Sequence, residues 1–198
     1  MRKAALRLFA ERGYAQTTVE MIAAQAGTTG RTFFRYFDCK AAVVWHDFDA
    51  EVAAIAERLD AMPASMSVLT SIRQAVLAVN DDRTDLAGLR ARTQLIAANP
   101  EVAASGAVHY AAWEHAVARF VSVRTRVPAD SLHPLTVGRT TLAACRTATE
   151  RWAAQGGNLL AYLDAALRAL GAGLADAAIR AEPEALRTRT APIDRQAR

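Results

Sequence analysis

The sequence contains no apolar run near the ~18 residues that a membrane-spanning helix requires, which excludes an integral helical membrane protein and gives no reason to expect a membrane partner. It has two cysteines, Cys39 and Cys145, far apart and without a CxxC pattern. Neither a disulfide framework nor a cysteine metal site fits that usage, and a cytoplasmic chain with reduced thiols is expected. Period-two alternation and hairpin dipeptides are missing, which argues against a sheet. HExxH, GxSxG, a P-loop and a dinucleotide fingerprint are missing too. The segment "HDFD" at 46–49 pairs a histidine with an aspartate, but no second group of metal ligands accompanies it. No cofactor, no metal and no enzymatic activity are therefore expected. The opening "MRKAALRLFAERGY" has the basic end and apolar run of a signal peptide. Arg7, Glu11 and Arg12 interrupt the run and no small-residue cleavage site follows, so it reads as an amphipathic helix.

What is present points to helices. Hydrophobic residues make up 52% and charged residues 22% of the 198, enough for a core and too apolar for disorder. Helical spacing recurs near 2–12, 17–25, 29–36, 40–60, 65–79, 84–98, 101–125, 134–155 and 158–179. Gly13, Gly27, Pro63, Pro100, Pro128, Pro134 and the pair Gly156-Gly157 separate these segments. The tail from Ala181 carries two prolines and four arginines and reads as a frayed end.

Charge is uneven. Residues 1–45 carry seven basic groups (Arg2, Lys3, Arg7, Arg12, Arg31, Arg35, Lys40) against three acidic ones (Glu11, Glu20, Asp38), a surplus of +4. That equals the net charge of the whole chain, so everything after residue 45 is balanced. A polyanionic partner for the N-terminal end follows.

The local signals there are dense. Ala5, Leu8 and Phe9 form one stripe, and Gly13 suits a helix end. Thr17 and Glu20 have capping-box spacing at the start of the next helix. Val19, Ile22, Ala23 and Ala26 then face inward. Gly27 permits a left-handed turn, and a third helix begins at Thr29 or Gly30. Two short helices joined this tightly form a helix-turn-helix. The third helix lies in "TTGRTFFRYFDCK" (28–40), which holds four of the 13 aromatic residues. Phe33 and Phe37 share its inner face. Thr28, Arg31, Thr32 and Arg35 share the opposite one, and Thr17 and Thr29 stand at the two helix starts. Such a face suits base edges in a DNA major groove, with Tyr36 and Lys40 placed for phosphates.

The stretch "ALRLFAERGYAQTTVEMIAAQAGTTGRTFFRYFDCKAAV" resembles the N-terminal domain of the TetR-type transcriptional regulators. Leu8-Phe9, Gly13-Tyr14, Thr17-Thr18-Val19, Ile22-Ala23, Ala26-Gly27, Thr32, Tyr36-Phe37 and Lys40 carry the resemblance. "GRTFFRYF" followed by "WHDFD" is most similar to the regulators associated with mycofactocin gene clusters, which implies an acyl-CoA thioester as effector. Departures from the family pattern are Thr28 in place of an apolar residue, Phe34 in place of tyrosine, and Cys39 in place of serine. Asp38 is expected to take over the helix cap that serine would supply. Only three residues precede Ala4, where family members commonly carry a basic arm.

The resemblance implies an all-α fold with three parts: a three-helix DNA-binding domain at 1–44, a larger helical ligand-binding and dimerisation domain at 45–180, and a flexible tail at 181–198. It implies a homodimer that binds a palindromic operator on double-stranded DNA and is released by a small molecule. Two recognition helices ~34–36 Å apart would reach successive major grooves. The dimer interface is expected on the helices at 134–155 and 158–179, through Leu142, Arg146, Thr149, Leu159, Leu163, Leu167 and Leu170. A cavity is expected between the helices at 40–60 and 134–155, with Trp45, Phe48, Ile72, Ile96, Tyr110 and Trp113 in its wall. Ile55, Leu59, Val76, Leu95 and Phe120 are further wall candidates, and Arg90 and Arg92 would meet an anionic head. The alternatives are an all-α interaction module and a ligand-binding protein with no DNA role.

Overall fold

A computed structural model describes residues 1–173. Ten helices are described and no strand: α1 (Arg2–Arg12), α2 (Val19–Gln25), α3 (Gly30–Tyr36), α4 (Ala42–Asp60), α5 (Val68–Asp81), α6 (Leu86–Ala98), α7 (Pro100–Ser105), α8 (Ala107–Thr125), α9 (Leu132–Gln155) and α10 (Leu159–Gly171). The expected tail and the last residues of the segment at 158–179 lie outside the described residues.

The helix expected at 101–125 is two helices. The break at Gly106 has a steric cause. A Cβ there would lie 2.6 Å from two atoms of the Trp45 ring, so only glycine lets the chain pass this close to α4. Ser105 secures the corner: its Oγ donates to the Val102 carbonyl (2.7 Å) and accepts from Trp45 Nε1 (2.9 Å).

Two apolar cores divide the molecule. The first gathers Ala5, Leu8, Phe9, Tyr14, Ile22, Phe33, Val43, Val44, Trp45 and Val102. It joins α1–α3 to the start of α4 and to α7. The second is built from α4, α5, α6, α8, α9 and α10 around Ile55, Leu59, Ile72, Trp113, Phe120, Leu142, Trp152 and Leu163. Helix α4 runs through both. Its first turn, at Val43, Val44 and Trp45, is buried in the N-terminal core. Val52, Ile55 and Leu59 are buried in the larger one. The passage from one core to the other thus falls inside a continuous helix, just after Trp45.

Candidate DNA-binding face and effector cavity

Helices α2 and α3 are joined by a tight turn. Gly27 takes φ +65°, and the Thr28 amide donates to the Ala23 carbonyl at 2.9 Å. A side chain at Gly27 would be strained by that φ, so the turn needs glycine. Thr29 is the N-cap of α3 and accepts from the Thr32 amide at 3.3 Å. The ring of Phe33 is fully buried and that of Phe37 half-buried, 5.3 Å apart, and together they hold α3 down. Thr29, Arg31, Phe34, Arg35 and Tyr36 are exposed, while Thr28 and Thr32 are half-exposed. Arg35 Nη2 donates to the Tyr36 hydroxyl at 3.0 Å, and its guanidinium lies over the Tyr36 ring. Among the described residues neither Arg31 nor Arg35 has an acidic partner. Phe34, left without a role by the sequence, is 55% exposed on this helix. An aromatic ring left this exposed shares the outer surface of α3 with Arg31 and Arg35.

Three sequence expectations change here. Thr17 does not cap α2; Thr18 does, accepting from the Met21 amide at 3.2 Å. Thr17 is 1% exposed, and its hydroxyl donates to the carbonyls of Gly13 (2.9 Å) and Leu8 (3.3 Å). Its side chain ties the α1–α2 corner from within and does not reach the surface.

Lys40 precedes α4 and turns inward. Its Nζ donates to the carbonyls of Tyr14 (2.7 Å) and Thr17 (3.0 Å) and lies 4.0 Å from the Tyr14 ring centroid. It pins the α1–α2 loop to the start of α4. Finally, α4 begins at Ala42 with Ala41 as its N-cap and no side-chain bond, so Asp38 does not cap it.

The cavity lies among α4, α5, α6, α8 and α9, has a volume of about 70 Å³ and is partly open to solvent. Its walls are Trp45, Phe48 and Glu51 from α4, Asn80 from α5, and Leu89, Arg92, Thr93 and Ile96 from α6. Tyr110 and Trp113 come from α8, and Leu142, Cys145, Arg146, Thr149 and Glu150 from α9. The rings interlock: Phe48 meets both Trp45 and Tyr110 edge-on, and the Arg146 guanidinium lies 4.3 Å from the Tyr110 centroid. Burial raises the Tyr110 pKa, with Arg146 opposing, and burial pushes the Cys145 thiol well above its ordinary range.

Six expected wall residues are therefore together here: Trp45, Phe48, Arg92, Ile96, Tyr110 and Trp113. Ile72 is not; it is fully buried in the second core. Ile55, Leu59, Val76 and Phe120 are core as well, and Leu95 packs on the N-terminal core. Arg90 does not line the cavity either, because residues two apart on a helix point to opposite sides. It lies over the Trp152 ring at 4.8 Å.

Residues 2–44 match the family model for bacterial regulatory proteins of the tetR family, and residues 66–175 match that for the MftR C-terminal domain. The chain belongs to the TetR family. A protein of Mycobacterium tuberculosis (strain ATCC 25618 / H37Rv), named as a mycofactocin biosynthesis transcriptional regulator, MftR, is 34% identical over 172 residues. The match covers 86% of this chain and 87% of that one. Among solved structures, the TetR-family repressor FadR of Thermus thermophilus, in complex with lauroyl-CoA, superposes with a TM-score of 0.60 at 25% identity. That match covers 98% of this chain and 96% of the other. FadR of Bacillus subtilis in complex with stearoyl-CoA gives 0.58 at 20% identity, covering 87% of this chain and 96% of the other, and speaks for the fold. The chain is thus a TetR-family transcriptional regulator with an N-terminal helix-turn-helix DNA-binding domain. Among the described residues no helix is long and apolar enough to cross a membrane.

In this TetR-family chain the residues expected at a dimer interface occupy several different environments of the protomer. Leu159, Leu163 and Leu167 are buried in the protomer's own second core, where α10 packs on α5 and α9. Leu142, Arg146 and Thr149 line the cavity. Leu170 alone of the seven is neither buried nor in the cavity wall; it is half-exposed near the end of α10. The outer side of α9 instead exposes Thr136, Thr140, Ala143, Thr147 and Ala154, small side chains at helical spacing.

Proposed function

We propose that this regulator is a homodimeric repressor that binds a palindromic operator through α3 and is released when an acyl-CoA occupies the cavity. One observation carries the reading: α4 belongs to both functional parts. Phe48 and Glu51 on it form cavity wall, Val43 and Val44 are N-terminal core, and Trp45 is in both. A ligand that favours one packing of Trp45 and Phe48 therefore favours one placement of α1–α3. This is a population shift, with a size set by the ligand's preference between the two placements.

The base-reading candidates are Arg31, Thr32, Phe34 and Arg35, with Thr28, Thr29 and Tyr36 at the flank for phosphates. Arginine supplies two hydrogen bonds to guanine, and Phe34 and the Thr32 methyl suit thymine methyls. Dimerisation would use the outer side of α9 around Thr140, Ala143 and Thr147, with α10 beside it, where small residues allow close helix approach. The lauroyl-CoA held by the Thermus thermophilus relative supports the effector class.

Binding-site selection on random DNA, with and without lauroyl-CoA, tests this. A palindrome recovered only without the ligand is expected. Recovery of no sequence, or of the same palindrome with equal yield in both arms, would contradict it.

A further inference from the structure

Among the described residues, three buried side-chain nitrogens lack a hydrogen-bond partner: Arg90 Nε, Arg92 Nη1 and Trp113 Nε1. Arg92 and Trp113 both line the cavity, whereas Arg90 does not. Buried donors are nearly always paired in folded proteins, so two orphans in one cavity wall mark a missing acceptor.

The charges around Arg92 agree. Its side chain is 7% exposed, and its nearest acid, Glu51, is 3.5 Å away. Glu51 is already engaged by Arg83 at 2.7 Å, with both of those side chains largely buried. One carboxylate thus serves two guanidiniums, and the trio is one positive charge in excess. Burial pulls the Arg92 pKa down and Arg83 adds to that, while Glu51 and Asp47 oppose it. The same wall carries apolar surface at Phe48, Ile96 and Leu142, and polar groups at Asn80, Thr93, Thr149 and the pair Arg146 and Glu150.

We propose that Arg92 Nη1 and Trp113 Nε1 receive the acyl carbonyl oxygen of the effector, so that the cavity recognises an oxygen on the first carbon of the chain as well as the chain itself. That oxygen is available from the thioester of an acyl-CoA or from the carboxylate of a free fatty acid. The assignment rests on the cavity being the effector site. It adds that a chain without the oxygen is rejected, because a site built to hydrogen-bond discriminates against an analogue that leaves its donors unpaired.

Isothermal titration calorimetry with three probes tests it: lauroyl-CoA, the thioether S-dodecyl-CoA, which lacks the carbonyl oxygen, and lauric acid. The wild-type protein is expected to bind lauroyl-CoA at least tenfold more tightly than S-dodecyl-CoA. In Trp113→Phe and Arg92→Gln, each first checked by circular dichroism for a native melt, that preference is expected to shrink below threefold. Trp113→Phe keeps a ring in the wall and serves alone if Arg92→Gln does not fold. Lauric acid binding that depends on Arg92 would identify the carboxylate as the source; thioester-only binding would identify the acyl-CoA. Equal affinity of the wild-type protein for the thioester and the thioether overturns the carbonyl assignment and leaves the effector reading standing. Binding of none of the three overturns both.

Discussion

Lys40→Met tests whether Lys40 holds the DNA-binding domain together or holds DNA. Methionine keeps the apolar stem and removes the ammonium. In the structure that ammonium makes two bonds to carbonyls, of Tyr14 and Thr17, and sits over the Tyr14 ring. A hydrogen bond from a charged donor contributes about 1.5–3 kcal/mol, and a partly exposed cation–π contact about 0.5–1 kcal/mol. All three share one group and are not additive, so a loss of about 2–3 kcal/mol is expected. For a domain of this size that lowers Tm by roughly 4–12 °C. The second half of the test is the salt dependence of operator binding, measured where both proteins are folded. A phosphate contact contributes about 0.9 to the slope of log K against log salt. The slope is expected to stay the same in Lys40→Met. An unchanged melt together with a slope reduced by about 0.9 per protomer would refute the pin and restore Lys40 as a phosphate contact.

Arg35→Ala is expected to weaken operator binding by about 1–3 kcal/mol and to relax sequence preference at one position of each half-site; unchanged affinity by fluorescence anisotropy would remove Arg35 from the reading face. Gly106→Ala gains about 0.4–1 kcal/mol by restricting the unfolded chain. Its Cβ would fall 2.6 Å from the Trp45 ring and 3.0 Å from Tyr110, an overpacking cost of about 1–3 kcal/mol. Crowding wins, so Tm is expected to fall, and a rise would show that the rings move freely. The Tyr14 phenol, 4% exposed, is held neutral by burial, and its pKa is raised from 10.0 to about 12. A raised folded-state value means stabilisation that is complete below pH 10 and lost as pH rises through 12. Tyr14→Phe is expected to flatten that alkaline decline in urea midpoints, and an unchanged decline would assign it to another group.

Much of the N-terminal domain was legible because its signals are local. The stripe at Ala5, Leu8 and Phe9, the turn at Gly27 and the anchor Phe33 each follow from spacing within one or two turns. The misplaced cap shows the limit. Thr17 and Thr18 are adjacent, and Thr17 has the glutamate three residues on, yet the fold spends the Thr17 hydroxyl on carbonyls of α1 and its following loop. The carbonyl partners of Lys40 were hidden for a similar reason, since they lie 26 and 23 residues away. Periodicity also says which face of a helix is apolar without saying what covers it. The stripe of Leu159, Leu163 and Leu167 suits a second chain as well as α5 and α9, and in the structure the protomer covers it itself. On α9, Leu142, Cys145, Arg146 and Thr149 turn toward the cavity because α6 and α8 flank that side. Six cavity residues were legible, because aromatic side chains clustered near α4 and α8 leave few other places to bury them. Glu51 was not. A glutamate in a long amphipathic helix looks like a solvated residue until Arg83 and Arg92 are seen beside it.

The central claim is that cavity and operator compete through α4, and reciprocity tests it most directly. If lauroyl-CoA weakens operator affinity by a given factor, operator DNA must weaken lauroyl-CoA affinity by the same factor. Calorimetric titration of lauroyl-CoA into the free protein and into its complex with the selected palindrome measures this. The account predicts a weaker Kd in the complex, matching the factor by which the ligand lowers DNA affinity. An identical Kd with and without operator would contradict it.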